Sequence, residues 1–344
     1  MGLFRQRHLN LTTFVKFWFM SHNNNFDFLR LLFASTVIFS HSYPLTGQKE
    51  FFEQISNSQI NLGALSVNIF FILSGFLIFN SLKYSNTINN YLWKRILRLF
   101  PALVVMLFST ASILILVSNG KVISQTDFYT YIPNNLSLFN LQNIVENVFE
   151  KNPYPKIING SLWSLCYEFT MYIFVCIFFP FRKNQRLSAV LLVVTIALLM
   201  AAKISKPVFL MKILQSINLE SKELLRLAPY FLMGSLLTFI KLDRYNNWKM
   251  KVFLAVILVV SLFLNAYSYV SYFVLPVLVI LIGLSFNKTL AAIPKKTGDI
   301  SYGIYIYGFM IQQTLMNYFN LNMPLLFLIS FLITLLPAYL SYHC

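Results

Sequence analysis

Charge, cysteine and histidine are all scarce in this chain, and acid is scarcer than base. Only 11% of its 344 residues are charged, with 11 Asp and Glu against 27 Lys and Arg, three Cys and four His. An ordinary soluble domain carries about 25% charge, so this composition excludes that class. Three cysteines make no framework. Cys166 and Cys176 fall in one predicted helix, ten residues apart, and Cys344 stands alone. No disulfide and no metal site are expected. A signal peptide is also missing: residues 1–25 are polar and rich in Asn, and no small-residue cleavage site follows. The opening Met-Gly lacks the Ser or Thr that myristoylation favours at position 6, which is Gln6. No internal repeat is visible, which argues against a secondary transporter built from inverted halves.

What the chain has is apolar sequence. It is 57% hydrophobic, and runs of nearly twenty apolar residues recur. This pattern predicts an all-α, polytopic membrane protein, because barrel strands would be shorter and alternating. Ten spans are expected, at 26–45, 62–82, 100–118, 162–181, 187–202, 223–240, 252–266, 270–286, 300–319 and 323–341. Residues 1–25 read as a cytoplasmic segment with an interfacial helix over 9–20, and 26–344 as a single transmembrane domain with no soluble domain attached. The longest non-membrane stretch, 119–161, contains Pro133, Pro153 and Pro155 and should be irregular with short helical pieces.

The net charge of +16 could indicate nucleic acid. Its distribution excludes that reading. With the N-terminus inside, the inner segments carry seventeen of the 27 basic residues and the outer segments eight; Arg30 and Arg226 lie within spans. The bias places both termini in the cytoplasm, and the excess of base is a topology signal.

The most informative segment runs from Phe26 to His41. Asp27, Arg30 and His41 interrupt an otherwise apolar helix, at about 2.5–3.5 kcal/mol for each charged group near the bilayer centre. Eleven residues at about 100° each leave Arg30 and His41 within roughly 20° of one another and about 16 Å apart along the axis. Asp27 falls on the same side. One polar stripe of this kind should face a protein-lined cavity.

Four further segments carry candidate chemistry. Span two holds Asn68, Ser74 and Gly75, the glycine suited to close helix approach. Lys94, Arg95 and Arg98 precede span three. The two arginines are one turn apart, suited either to phosphate binding or to snorkelling toward headgroups. Span four contains Trp163 and Glu168, the latter without a basic neighbour on its own helix. Span nine opens with Asp299, Ser301, Tyr302 and Tyr305, where Asp299 or Ser301 could cap the helix and the tyrosines could anchor it at the interface. Depth sorts these pieces. His41, Asn68 and Glu168 fall in the outer half; Arg30, Arg95, Arg98 and Asp299 fall in the inner half. A cationic cytoplasmic end linked to an outer acid–base end is what transfer from an anionic donor to an outward acceptor requires.

Five motifs in this order resemble the membrane acyltransferase-3 family, which includes bacterial O-antigen, peptidoglycan and exopolysaccharide O-acetyltransferases. They are Asp27-x-x-Arg30 with His41, Ile69-Phe-Phe-Ile-Leu-Ser-Gly-Phe76, Arg95-x-x-Arg98-x-x-Pro101, Ser161-Leu-Trp-Ser-Leu-x-Tyr-Glu168 and Ser301-Tyr-Gly-Ile-Tyr305. The resemblance implies about ten spans in the bacterial cytoplasmic (inner) membrane, a cytoplasmic acetyl-CoA donor, and a cell-envelope polysaccharide or lipid-linked sugar as acceptor. It implies His41 as the essential catalytic residue, Arg30 as its partner in the site, and Arg95 and Arg98 in donor binding. Beside these, Asp27 and Glu168 are placed in the catalytic set, Lys94, Ser74, Asp299 and Tyr305 in the donor set, and Asn68 and Trp163 in the acceptor set. Glu168 is expected near His41, orienting the imidazole or binding a sugar hydroxyl. Two departures are visible. Members often carry an acid near the position of Asn68, and many continue past a Ser-Tyr-His like Ser341-Tyr-His343 into a Glu-Lys-Pro stretch, whereas this sequence stops at Cys344.

His41 could act as a general base or carry the acyl group covalently. The competing reading is a transporter or flippase of a glycan or lipid-linked sugar; a membrane scaffold is a third.

Overall fold

A computed structural model describes residues 24–343. The interfacial helix expected over 9–20 lies outside the described residues. Helices dominate: α1 (Phe26–Leu45), α2 (Phe51–Ile55), α3 (Leu62–Tyr84), α4 (Ile88–Val117), α5 (Thr126–Leu136), α6 (Trp163–Phe174), α7 (Gln185–Ser205), α8 (Val208–Ser216), α9 (Ser221–Leu237), α10 (Trp248–Phe263), α11 (Tyr267–Leu284), α12 (Lys288–Thr297), α13 (Ser301–Tyr318) and α14 (Met323–His343). Each of the ten segments expected to cross the membrane contains a helix. By length and apolar composition, α3, α4, α7, α11 and α14 are suited to spanning a bilayer. α1 and α13 fall outside that set, interrupted by Asp27, Arg30 and His41 in the first and by Gln312, Gln313 and Asn317 in the second.

Helix ends differ from the sequence expectation where a polar side chain caps them. α4 starts twelve residues before the expected span because Thr87 accepts a hydrogen bond from the Asn90 N–H at 3.1 Å, so Lys94, Arg95 and Arg98 ride on the helix itself. α10 starts four residues early, where Asn247 accepts from the Met250 N–H at 2.9 Å. The expected cap on α13 by Asp299 or Ser301 is not formed: Ile300 occupies that position, and the Ser301 hydroxyl donates to Asp299 instead.

The centre of the bundle is made by α1, α3, α9 and α13. Gly75 and Gly234 bring α3 and α9 into backbone contact. A Cβ at Gly75 would stand 1.8 Å from the Phe231 carbonyl oxygen, and one at Gly234 would stand 2.2 Å from that of Ile72. The Ser235 hydroxyl donates to the Gly75 carbonyl at 3.1 Å across the same crossing. α13 is buried nearly all round, with Gly303 against Ala338 of α14 and Gly308 against Ile38 of α1. α7, α10 and α14 turn Val190, Leu198, Phe253 and Leu332 outward, the apolar surface that lipid requires.

The 119–161 stretch is irregular apart from a turn of 3-10 helix at Lys121–Ser124, α5 and one bridge between Ile144 and Ile157. It nevertheless dips into the bundle. Asn152 donates to Gln313, Asn159 donates to the Ile306 carbonyl, and Gly160 lies flat on Phe309. These contacts fix the wall behind His41.

Candidate active site

His41 lies four residues from the end of α1, in a cavity of about 460 Å³. Its walls come from α1 (Ser40, His41, Pro44), the segment before and through α2 (Gln48, Lys49, Glu50, Glu53), the start of α3 (Asn61 to Val67), Trp163 and Tyr305. The His41 ring meets Phe309 edge-on, with centroids 5.0 Å apart. Nδ1 is buried and has no hydrogen-bond partner. Residue 41 as a whole is partly exposed, so its accessible surface lies on other atoms. A buried ring nitrogen without a partner is costly, and a polar group of a bound substrate would satisfy it.

Glu50 was not anticipated from the sequence. It is 4% exposed and accepts hydrogen bonds from the Ser40 hydroxyl and from the Leu62 N–H, the latter at 2.7 Å. The second donor is one of the unpaired amides at the start of α3, where the helix dipole favours a carboxylate. Acids are rare in this chain, and the short connection between the first two spans holding both Glu50 and Glu53 was the one available signal. Loops have no periodicity, so nothing in the sequence pointed either side chain inward.

Arg30 does not share His41's cavity. It is 7% exposed and lines a narrow inner cavity with Ser74, Arg98, Ser164, Glu168 and Tyr302. The stripe on α1 therefore serves two cavities in succession, as its length of three turns allows. Arg30 pairs with Asp27 and with Asp299, both at 3.2 Å, and Arg98 reaches the same Asp299 oxygen at 3.4 Å. Asp27 is half exposed. Burial alone would raise the Asp299 pKa, but Arg30 and Arg98 outweigh it and hold the carboxyl below its usual value.

Glu168 is the clearest correction. Its carboxylate does not orient the imidazole. One oxygen accepts from the Ser74 hydroxyl at 2.6 Å and from the Tyr172 hydroxyl. Both donors are hydroxyls, the partner that the sequence could not name. Glu168 lines the inner cavity with Arg30 and Arg98, while Trp163, five residues earlier, lines the cavity of His41.

Tyr305 and Val67 border both cavities. The Tyr305 hydroxyl bonds the Ser164 hydroxyl at 2.6 Å, and its ring meets Phe70 at 5.6 Å. Tyr305 thus forms part of the partition between the two cavities. On the other side, Arg98 and Tyr302 are shared with a third cavity of about 370 Å³ that holds Asp299, Ser341 and Tyr342. Three cavities follow one another, from Asp299 past Arg98 and Glu168 to His41.

The remaining expected residues lie off this line. Lys94 is exposed and borders none of these cavities. Arg95 borders none either; its Nε is buried without a partner, and its guanidinium lies 5.9 Å from the Tyr91 ring centre. Asn68 is 3% exposed and accepts from Arg226 at 2.9 Å. It acts as a support for that arginine.

A helical membrane protein enclosing successive polar cavities is the class that these features define. Residues 23–343 match the acyltransferase domain of the acyltransferase-3 family. The chain is 30% identical over 336 residues to an O-acetyl transferase of Shigella phage Sf6, covering 94% of this chain and 95% of that protein. Over 191 residues, 52% of this chain and 50% of the relative, it is 29% identical to nodulation protein 10 of Rhizobium leguminosarum bv. viciae. No solved structure matches. The chain belongs to the acyltransferase-3 family and is an acyltransferase, as the five motifs led one to expect.

Proposed function

We propose that this acyltransferase moves an acetyl group from acetyl-CoA on the cytoplasmic side to a hydroxyl of a cell-envelope polysaccharide or lipid-linked sugar on the outer side. In this reading the chain crosses the bacterial inner membrane ten times with both termini in the cytoplasm. The reading rests on His41: a buried ring nitrogen without a partner, in a cavity of ligand size, with Tyr305 and Val67 between it and a cavity that holds Arg30 and Arg98. The O-acetyl transferase relative supports the acetyl group and the hydroxyl acceptor.

Two routes use the same imidazole. As a base, His41 removes the acceptor hydroxyl proton while the oxygen attacks the thioester carbonyl; the C–S bond breaks and the thiolate of CoA leaves. As a carrier, the imidazole nitrogen attacks the carbonyl and the thiolate leaves. The acceptor hydroxyl then attacks the acyl-imidazole, the C–N bond breaks, and the released imidazole takes up the hydroxyl proton. Arg98, which borders two of the cavities, supplies charge for donor phosphates. Glu50 and Trp163 meet the acceptor, the first through its remaining lone pairs and the second through its ring face.

Mass spectrometry of surface glycans from strains carrying wild type or His41→Ala is the test. Loss of the acetyl ester at equal membrane abundance is expected; unchanged acetylation by the variant would sink the reading. Incubating purified protein with labelled acetyl-CoA and no acceptor separates the routes, since only a carrier leaves label on wild type and none on His41→Ala.

A further inference from the structure

A second outer cavity, of about 590 Å³, adjoins the first through Trp163, which lines both. Arg226 of α9 lies at its wall with Glu220, Glu223, Asn140, Asn143 and Tyr167. This arginine is an intramembrane-helix cation that neither the donor line nor His41 uses. Its Nε and Nη2 both donate to Glu223, at 2.8 and 2.7 Å, and its Nη1 donates to Asn68 at 2.9 Å. Its guanidinium carbon lies 5.7 Å from the Trp163 ring centre. Asn68 and Glu223 therefore fix Arg226, and Arg226 in turn fixes the indole that separates the two cavities.

Resting on the acetyl-transfer reading above, we infer that the acceptor is bound as an oligosaccharide: the accepting sugar lies beside His41, and a neighbouring, uncharged sugar residue lies in the Arg226–Glu223 cavity, with Trp163 between them.

Three features favour this occupant. The volume is that of a ligand pocket and is separate from the reacting one. The lining mixes carboxylates, amides and a phenol with one indole face, which is the set that hydroxyls and the apolar side of a sugar ring call for. The charge balance excludes an acidic sugar as the preferred guest. Glu223 neutralises Arg226 in a two-bond pair, and Glu220 adds a further negative charge, so an incoming carboxylate meets no free cation. The floor is fixed as well: the Glu220 N–H donates to the Tyr167 hydroxyl at 3.1 Å, tying the start of α9 to α6.

The test uses full-length purified protein, acetyl-CoA, and neutral oligosaccharides prepared by de-O-acetylating and partially hydrolysing the producing strain's surface polysaccharide, sorted into one-, two- and three-residue lengths. The expected result is a kcat/KM at least about tenfold higher for two residues than for one, as several hydrogen bonds to hydroxyls would give. Asn140→Trp, an exposed loop position where an indole would fill the second cavity, should collapse that ratio toward one. Glu220→Gln, isosteric and also exposed, should lower the ratio by about 2–10-fold. Equal kcat/KM at every length, or a ratio untouched by both variants, overturns the second subsite and leaves acetyl transfer standing. Absence of acetylation at every length overturns acetyl transfer to this glycan and the subsite together.

Discussion

Replacing Glu168 should expose what its carboxylate does, and a cycle with Tyr172 measures it. Both hydroxyl donors, Ser74 and Tyr172, converge on one oxygen of Glu168. Glu168→Gln can keep that oxygen as an amide carbonyl, so it loses charge assistance but not the bonds. A hydrogen bond to a charged group contributes about 1.5–3 kcal/mol and a neutral one about 0.5–1.5; interhelical bonds inside membranes average about 0.6 and reach about 1.7. Gln should therefore cost about 1 kcal/mol. Glu168→Ala leaves both hydroxyls without their acceptor. Ser74 can turn to a carbonyl in the preceding turn of α3. Tyr172 is fully buried and its phenol has no such option. Stranding it adds about 1–2 kcal/mol, which Tyr172→Phe should recover, because removing both partners is far cheaper than removing one. The assay is equilibrium unfolding by SDS titration in one fixed detergent on wild type, Glu168→Ala, Tyr172→Phe and the double variant. Coupling of at least about 1 kcal/mol is expected. Additivity within about 0.5 kcal/mol would refute the reasoning.

Arg98→Gln should raise the donor KM by roughly 10–150-fold and lower stability as well, because it breaks the contact to Asp299 at 3.4 Å. Comparing KM with SDS midpoints checks both. Gly75→Ala should reduce stability by about 1–3 kcal/mol, read as a shifted midpoint and lower membrane yield, because the new methyl meets the Phe231 carbonyl and α3 and α9 must separate. The Asp299 pKa is held below its usual value, so its ion pairs contribute fully above the ordinary carboxylate pKa of about 3.9 and are lost as pH falls through the lower folded value. Asp299→Asn should accordingly flatten the acid-side fall in thermal stability, and an unchanged pH profile would count against the cluster.

The sequence by itself determined the helices and the family. Apolar runs of near-bilayer length leave the backbone no partner but itself, so helix was the outcome everywhere. The stripe of Asp27, Arg30 and His41 was legible because the helical period is fixed by local geometry. Tertiary structure decided which groups meet. Depth along an axis is readable from residue number, but the rotation of one helix against another depends on glycine contacts such as Gly75 with Phe231. Glu168 and Trp163, five residues apart on one helix, consequently face different cavities. Asn68 turned out to hold Arg226, and Tyr305 to stand between two cavities. Glu50, just before α2 and without a periodic pattern to read, meets the pocket of His41 because the Leu62 amide opening α3 and the Ser40 hydroxyl of α1 both donate to its carboxylate.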